Sequence, residues 1–153
     1  MIGQDNIEII KKEVREFFEK MNFLVEIESP SQKENTVFVN LKTEEPKILI
    51  GEGGQTLMEI QHLLRVILRK KISEPFFLDL DISDYKKKKI EYLKELARNT
   101  ADEVSLTKKE KILQPMPAYE RRIVHLELSE RTDVLTESEG EGPDRKIIIK
   151  PRA

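Results

Sequence analysis

The apolar residues of this chain fall into short segments that alternate between two periods. Between residues 7 and 21, apolar side chains recur at the spacing of one helix face, whereas Val37, Val39 and Leu41 recur at every second position, as in a strand. The longest apolar runs are only a few residues, so no segment is predicted to span a bilayer. The two periods within 153 residues predict an α+β fold of one ordinary domain or two small ones.

The first half of the chain predicts a complete α+β unit, residues 1–82, in the order helix, strand, strand, short helix, helix, strand. Asp5–Glu8 has the spacing of a capping box at the start of the first helix. Two strands are predicted at residues 23–28 and 37–41 with a polar turn between them, and the main helix covers residues 57–68. The first helix is expected to bury one stripe, formed by Ile7, Ile10, Val14, Phe17 and Met21.

The second half, residues 83–153, predicts a smaller α+β unit. Ser83 and Asp84 are suited to cap a long helix, and Pro117 is suited to the first turn of a shorter helix near residues 118–129. Three short strands are expected to form a sheet, and they are predicted at residues 111–113, 134–136 and 146–150.

Composition excludes several kinds of chemistry. The chain has no cysteine, which removes disulfides, zinc–thiolate sites and cysteine nucleophiles, and which fits a reducing cytoplasm. The two histidines, His62 and His125, are too far apart in sequence for a local metal motif. Paired carboxylates are common among 29 acidic residues and carry no sign of acid–base catalysis. We therefore expect no metal, no cofactor and no enzymatic activity.

Charge is distributed unevenly along the chain. The net charge is −2, which is not the overall basicity of a strong nucleic-acid binder. Residues 1–82 carry 11 basic and 15 acidic side chains, whereas residues 83–153 carry 16 basic and 14 acidic side chains. Any polyanion must therefore bind at a local patch rather than to the field of the whole protein.

A glycine-rich loop is the first candidate site. Gly51-Glu52-Gly53-Gly54 follows the apolar Ile50 and precedes an amphipathic helix. Glycines admit close approach to the backbone, and amides at a helix N-terminus favour a phosphate. A tight turn between two helices explains the same residues, and the loop alone favours that interpretation.

With its flanking elements, this segment resembles a KH domain of the prokaryotic type II topology over residues 5–82. The resemblance implies that Gly51, Gly53 and Gly54 clamp the sugar-phosphate backbone, while Ile50 and Leu57 help to form an apolar groove for bases. One residue departs from the family pattern: Glu52 stands where Lys or Arg is common, and its charge opposes a phosphate.

The second candidate site is an arginine and a histidine four residues apart. Arg121 and His125 are predicted to emerge on one helix face, where a guanidinium and an imidazole can hold one phosphate. Arg122 and the lysine run at residues 86–89 add local positive charge. In isolation, such a pair is more commonly explained by a salt-bridged arginine and a half-buried surface histidine.

The residues around the pair resemble the R-3-H domain, named for its Arg, three residues and His. Met116–His125 and Thr136–Pro143 carry the resemblance, and they are most similar to the version found in the bacterial Jag (SpoIIIJ-associated, KhpB-like) family. In that family a KH domain directly precedes the R-3-H domain. The family implies that Arg121 and His125 contact phosphate. Because few residues precede the first helix, we expect the family's N-terminal Jag domain to be absent.

These observations predict a protein that binds single-stranded RNA without catalysis, with single-stranded DNA as a second candidate ligand. A post-transcriptional regulator or an RNA chaperone-like module fits this activity. The alternative is a protein-interaction or dimerisation module with a degenerate KH clamp, and the resemblance implies a homodimer or a heterodimer with another KH protein. No membrane partner is expected.

Overall fold

The computed structural model describes residues 1–153, which divide into two compact units, Met1–Lys86 and Lys87–Ala153. Each unit combines helices with a small β-sheet, so the predicted α+β class is confirmed. None of the helices combines the length and the apolar character needed to span a bilayer.

The first unit contains three helices and a four-stranded sheet. Strand β3 is central: β1 and β2 pair antiparallel with the same edge, and β4 pairs parallel with the other edge. The order of helices and strands follows the prediction, with one strand added. The bounds are α1 Gln4–Lys20, β1 Glu26–Ile27, β2 Ser31–Lys33, β3 Thr36–Lys42, α2 Pro46–Ile50, α3 Gln55–Arg69 and β4 Phe77–Ile82.

The added strand lies where the sequence predicts only a polar turn. Ser31–Lys33 pairs with β3 from Lys33 opposite Thr36, so the hairpin turn is reduced to Glu34 and Asn35. Glu34 has a φ of 54°, the left-handed conformation that a tight two-residue hairpin turn requires. The prediction of a turn throughout residues 29–35 is therefore wrong.

The core of the first unit lies between the sheet and helices α1 and α3. Leu78, Leu80 and Ile82 of β4 are buried, as expected for alternate residues of a strand with one covered face. In α1, Phe18 rather than Phe17 is fully buried, and Met21 is exposed. The predicted capping box is also wrong: α1 begins two residues earlier than predicted, with Gly3 rather than Asp5 as its N-cap and no side-chain cap.

In the second unit, two helices cover a three-stranded sheet in the order β5, β7, β6, with all pairs antiparallel. Ala97 and Ala101 of α4 are fully buried, together with Ile147 and Ile149 of the central strand. The bounds are α4 Tyr85–Thr107, which begins within the first unit, β5 Lys111–Ile112, α5 Ala118–Leu128, β6 Val134–Glu139 and β7 Lys146–Pro151.

Candidate nucleic-acid interface

Helix α5 and strand β6 together position the arginine and the histidine of the second unit. The helix begins after Pro117, whose carbonyl accepts the backbone N–H of Arg121 at 3.0 Å. Val124 and Leu128 are buried in the core, which turns the neighbouring stripe with Arg121 and His125 toward β6. Both side chains are half-buried, so they lie at the rim of the unit.

Arg121 is held by two hydrogen bonds. Its Nε donates to the carbonyl oxygen of Met116 at 3.2 Å, and its Nη1 donates to Oγ of Ser138 at 2.6 Å. A guanidinium has five N–H donors, so three remain for a ligand. No carboxylate pairs with Arg121 in the hydrogen bonds or salt bridges of the unit. The salt-bridged explanation of the pair is therefore not what the structure shows.

His125 is anchored to the same strand. Its Nδ1 lies 2.6 Å from Oγ1 of Thr136, two residues before Ser138 on β6. Burial, and to a smaller extent the neighbouring positive charge of Arg121, lowers the pKa of His125 below its ordinary value. The ring is thus mainly neutral at pH 7, and the side-chain partner of Nδ1 leaves Nε2 available to an incoming group.

The two hydroxyls of β6 share a face because strand residues two apart point the same way. Glu137 and Glu139 alternate with them and are exposed on the opposite face, where Glu137 accepts a bond from Lys150 at 2.7 Å. The acidic residues of the strand are therefore directed away from the arginine–histidine pair. The sequence motif contains both hydroxyl residues, but the sequence alone does not show that β6 packs against α5.

Two further arginines lie close to this pair in sequence or space. Arg122 is exposed on α5. Arg145 donates to the carbonyl oxygen of Gly140 at 2.7 Å and to that of Ser138 at 3.5 Å, so it closes the β6–β7 turn next to the residue that anchors Arg121. Arg145 therefore adds a positive charge at the end of β6, at the backbone of Ser138.

The glycine loop of the first unit has a backbone that only glycine adopts easily. Gly51, Gly53 and Gly54 have φ angles of 74°, 60° and 81°. A Cβ at Gly51 would overlap Oγ1 of Thr56, and one at Gly54 would lie 2.9 Å from Cε1 of Tyr85. The exposed tip consists of Glu52 and Gly53, so the acidic side chain is at the surface that a phosphate would approach.

The predicted apolar groove beside this loop is only partly present at the surface. Ile50 is half-buried and packs against the core. Leu57 is 1% exposed and belongs to the core itself. A ligand at the loop would therefore meet Ile50, while Leu57 supports the start of α3 from below.

The edge of β4 that does not pair with β3 has hydrogen-bond partners within the first unit. The backbone N–H of Leu80 donates to Oε1 of Gln61 at 2.9 Å. Lys86 donates from Nζ to the same oxygen at 2.8 Å and to Oδ1 of Asp79 at 2.7 Å. The ion pair with Asp79 compensates the charge of Lys86. The bond to Gln61 occupies the backbone N–H of Leu80, which a base could otherwise use. A phosphate approaching the first unit would therefore meet an acidic loop tip and a lysine already paired with a carboxylate.

Comparison with known proteins agrees with this geometry. The R-3-H domain family matches residues 91–151, which contain Arg121 and His125 at the spacing that gives the family its name. The second unit is thus an R-3-H domain.

Curated relatives extend the similarity to most of the chain. The proteins named RNA-binding protein KhpB from Clostridium symbiosum and Bacillus subtilis are 39% and 35% identical over 89% and 77% of this chain. The Lactiplantibacillus plantarum protein of that name is 36% identical over 74%. The chain spans 62%, 58% and 35% of the lengths of these three relatives, respectively. Over most of its length the chain is thus KhpB-like, as the motifs predicted.

Proposed function

We propose that this protein binds single-stranded RNA, with a backbone phosphate held between Arg121 and His125. The observation that carries the proposal is the anchoring of both side chains to one face of β6, at Ser138 and Thr136, with free guanidinium donors at the rim. The names of the KhpB relatives support RNA as the ligand.

The arrangement suits a phosphate for two physical reasons. A guanidinium offers parallel N–H groups that match the oxygens of a phosphate, and charge-assisted bonds of this kind are about twice as strong as neutral ones. Because Arg121 is already fixed by its bonds to Met116 and Ser138, little side-chain entropy is lost when the ligand arrives. In the tautomer whose Nδ1 accepts the Thr136 hydroxyl, the neutral His125 presents Nε2–H as one further donor.

We assign the two parts of the proposed activity to two domains, a KH-like domain at residues 1–82 and an R-3-H-like domain at residues 83–153. In this assignment the loop of Gly51, Gly53 and Gly54, beside Ile50, is a second and weaker contact. Two weak sites on one chain raise the effective concentration of a ligand at the second site. The exposed Arg122 adds charge to the stronger site.

The activity proposed is binding without catalysis, in a cytoplasmic post-transcriptional regulator or RNA chaperone-like protein. Single-stranded DNA is the second ligand to test, and a second KH protein or a second copy is the partner to test. The interaction-module alternative is not favoured, because the relatives are named for RNA binding.

The test is a direct binding measurement on the full chain. Fluorescence anisotropy should show a single-stranded RNA of eight to twelve nucleotides binding more tightly than the same sequence as a duplex. Ultraviolet crosslinking followed by peptide mapping should place attached nucleotides on α5 or β6. Equal affinity for single and double strands, or crosslinks confined to other parts of the chain, would contradict the proposal.

A further inference from the structure

Helix α5 exposes a second stripe beside its arginine–histidine pair. Tyr119 and Leu126 are large side chains with 47% and 62% of their surface exposed. Arg122 lies between them in sequence, and positions i, i+3 and i+7 share one helix face. We call Tyr119, Arg122 and Leu126 the outer stripe. Large apolar side chains exposed together on one helix face can mark a binding surface.

The outer stripe adjoins the phosphate pair on the helix surface. Arg122 directly follows Arg121 and Leu126 directly follows His125, each about 100° further around a helix of 3.6 residues per turn. Tyr119 and Leu126 are separated along the axis by about 10 Å, or two turns. A strand whose phosphate lies on the pair can therefore lay neighbouring bases along the stripe.

Both acidic residues of α5 are paired with cations rather than left open beside this stripe. The helix contains two carboxylates, Glu120 and Glu127. Glu120 is 5% exposed and lies 4.0 Å from Nζ of Lys89, while Glu127 accepts a bond from Arg98 of α4. Glu120 touches the outer stripe only where it accepts the Tyr119 hydroxyl, and both carboxylates have a cationic partner, so no unpaired acid of α5 opposes an anionic strand there.

The ring of Tyr119 is also held in place. Its hydroxyl donates to Oε1 of Glu120 at 3.2 Å, which fixes one end of the ring at the buried carboxylate while nearly half of the side chain remains exposed. A fixed and partly exposed aromatic ring is a surface on which a base stacks without losing much side-chain freedom.

We propose that Tyr119 and Leu126 contact unpaired bases of the strand whose phosphate binds at Arg121 and His125. The inference rests on the proposed function and adds its recognition mode. Stacking and apolar contact need a free base face, so this surface selects single strands and tolerates different sequences. A duplex hides its base faces and gains only the phosphate contacts.

The experiment compares two octamers of equal charge, one of oligouridine and one with an abasic ribose-phosphate backbone. Tyr119→Ala and Leu126→Gln should each lower affinity for oligouridine about tenfold and leave affinity for the abasic octamer unchanged. Tyr92→Ala and Leu106→Gln are matched controls, since these side chains are 56% and 84% exposed on α4 of the same unit. Both controls should bind like the wild type.

Each result supports or overturns the inference. Wild-type protein that binds both octamers equally, or variants that weaken both equally, would overturn the base contact while leaving phosphate binding intact. Wild-type protein that binds neither would refute the proposed function itself. Tyr119→Phe keeps the ring and removes the hydroxyl that donates to Glu120, so it should retain most of the affinity. A loss as large as that of the alanine variant would show that folding, rather than stacking, is affected.

Discussion

Replacement of Arg121 by glutamine is the most direct perturbation of the proposed phosphate site. The substitution removes one positive charge and two hydrogen bonds, at 3.2 Å to the carbonyl oxygen of Met116 and at 2.6 Å to Ser138. Because the side chain is half-buried at the rim, its loss affects both ligand affinity and stability. The two effects are separable by measurement.

The size of each effect follows from the contacts. A hydrogen bond to a charged group contributes about 2 kcal/mol, so loss of the phosphate contact should weaken binding about 30-fold. For a single strand, each neutralised phosphate contributes about −0.7 to the slope of log affinity against log salt, so the slope should flatten by about 0.7. The two lost internal bonds should lower the free energy of unfolding by up to about 2 kcal/mol.

The assay is a salt titration of binding by fluorescence anisotropy, with urea denaturation measured on the same preparations. Lys109→Gln is the charge-matched control, since Lys109 is an exposed residue of the same unit, and its slope should equal that of the wild type. Ser138→Ala loosens Arg121 but keeps its charge, so affinity should fall modestly at an unchanged slope. Equal slopes for Arg121→Gln and wild type would refute a direct phosphate contact.

Three further predictions concern charge. Glu52→Lys should raise RNA affinity several-fold at low salt and steepen the salt slope by about 0.7, because it replaces an acid at the exposed loop tip by a cation. RNA affinity should rise as pH falls below 7, because a bound phosphate favours protonation of His125, whose pKa is lowered in the free protein by burial and by Arg121; His125→Asn should remove this rise. Lys89→Met should lower the free energy of unfolding in urea by about 2 kcal/mol, because it leaves the buried Glu120 without its cation.

Each of these predictions has a control. Glu44→Lys makes the same charge change at another exposed position of the first unit, and equal gains in both variants would show a long-range effect instead of a loop contact. His62→Asn changes the exposed histidine and should keep the pH dependence of the wild type. Lys88→Met changes an exposed lysine next to Lys89 and should cost less than about 0.5 kcal/mol; an equal cost for both would contradict the buried-pair argument.

The lowered pKa of His125 also fixes the sign of a stability effect. An unfolded chain binds a proton at this histidine near its ordinary pKa of about 6.5, whereas the folded protein binds it only at lower pH. The unfolded state therefore carries more protons in that window, and the free energy of unfolding falls as pH drops below about 6.5. The fall should be shallower in His125→Asn when urea denaturation is followed from pH 7 to 5.

Much of the fold could be predicted because its local patterns agree with its packing. The helical and strand periods placed α1, α3, α4, α5 and the long strands correctly. Strand β2 was missed because Ser31–Lys33 has no apolar alternation, and its pairing depends on the hairpin backbone rather than on side chains. Phe17 was predicted to be buried, but the structure buries Phe18 instead, for a similar reason. Two adjacent aromatic residues fit the helical period almost equally, and packing against the sheet decides which of them is buried.

The candidate site was predictable only in its local part. Spacing alone placed Arg121 and His125 on one face of α5, but their partners Thr136 and Ser138 come from a strand whose packing against α5 is tertiary. The same limit applies to Lys86, which the sequence presents only as part of a run that adds local positive charge. Its carboxylate and amide partners come from β4 and α3, which are distant in sequence.

The crowding at Gly51 and Gly54 bears on how such loops diverge over evolution. Thr56 and Tyr85 fill the space that any larger residue at these positions would need, so selection for a folded chain retains the two glycines even where no nucleotide is ever clamped. Conservation of these two glycines among related sequences is therefore weak evidence that the loop still contacts RNA. Position 52 is exposed, so packing does not constrain which residue stands there. The residue at this position is therefore the better indicator of whether the loop binds a ligand.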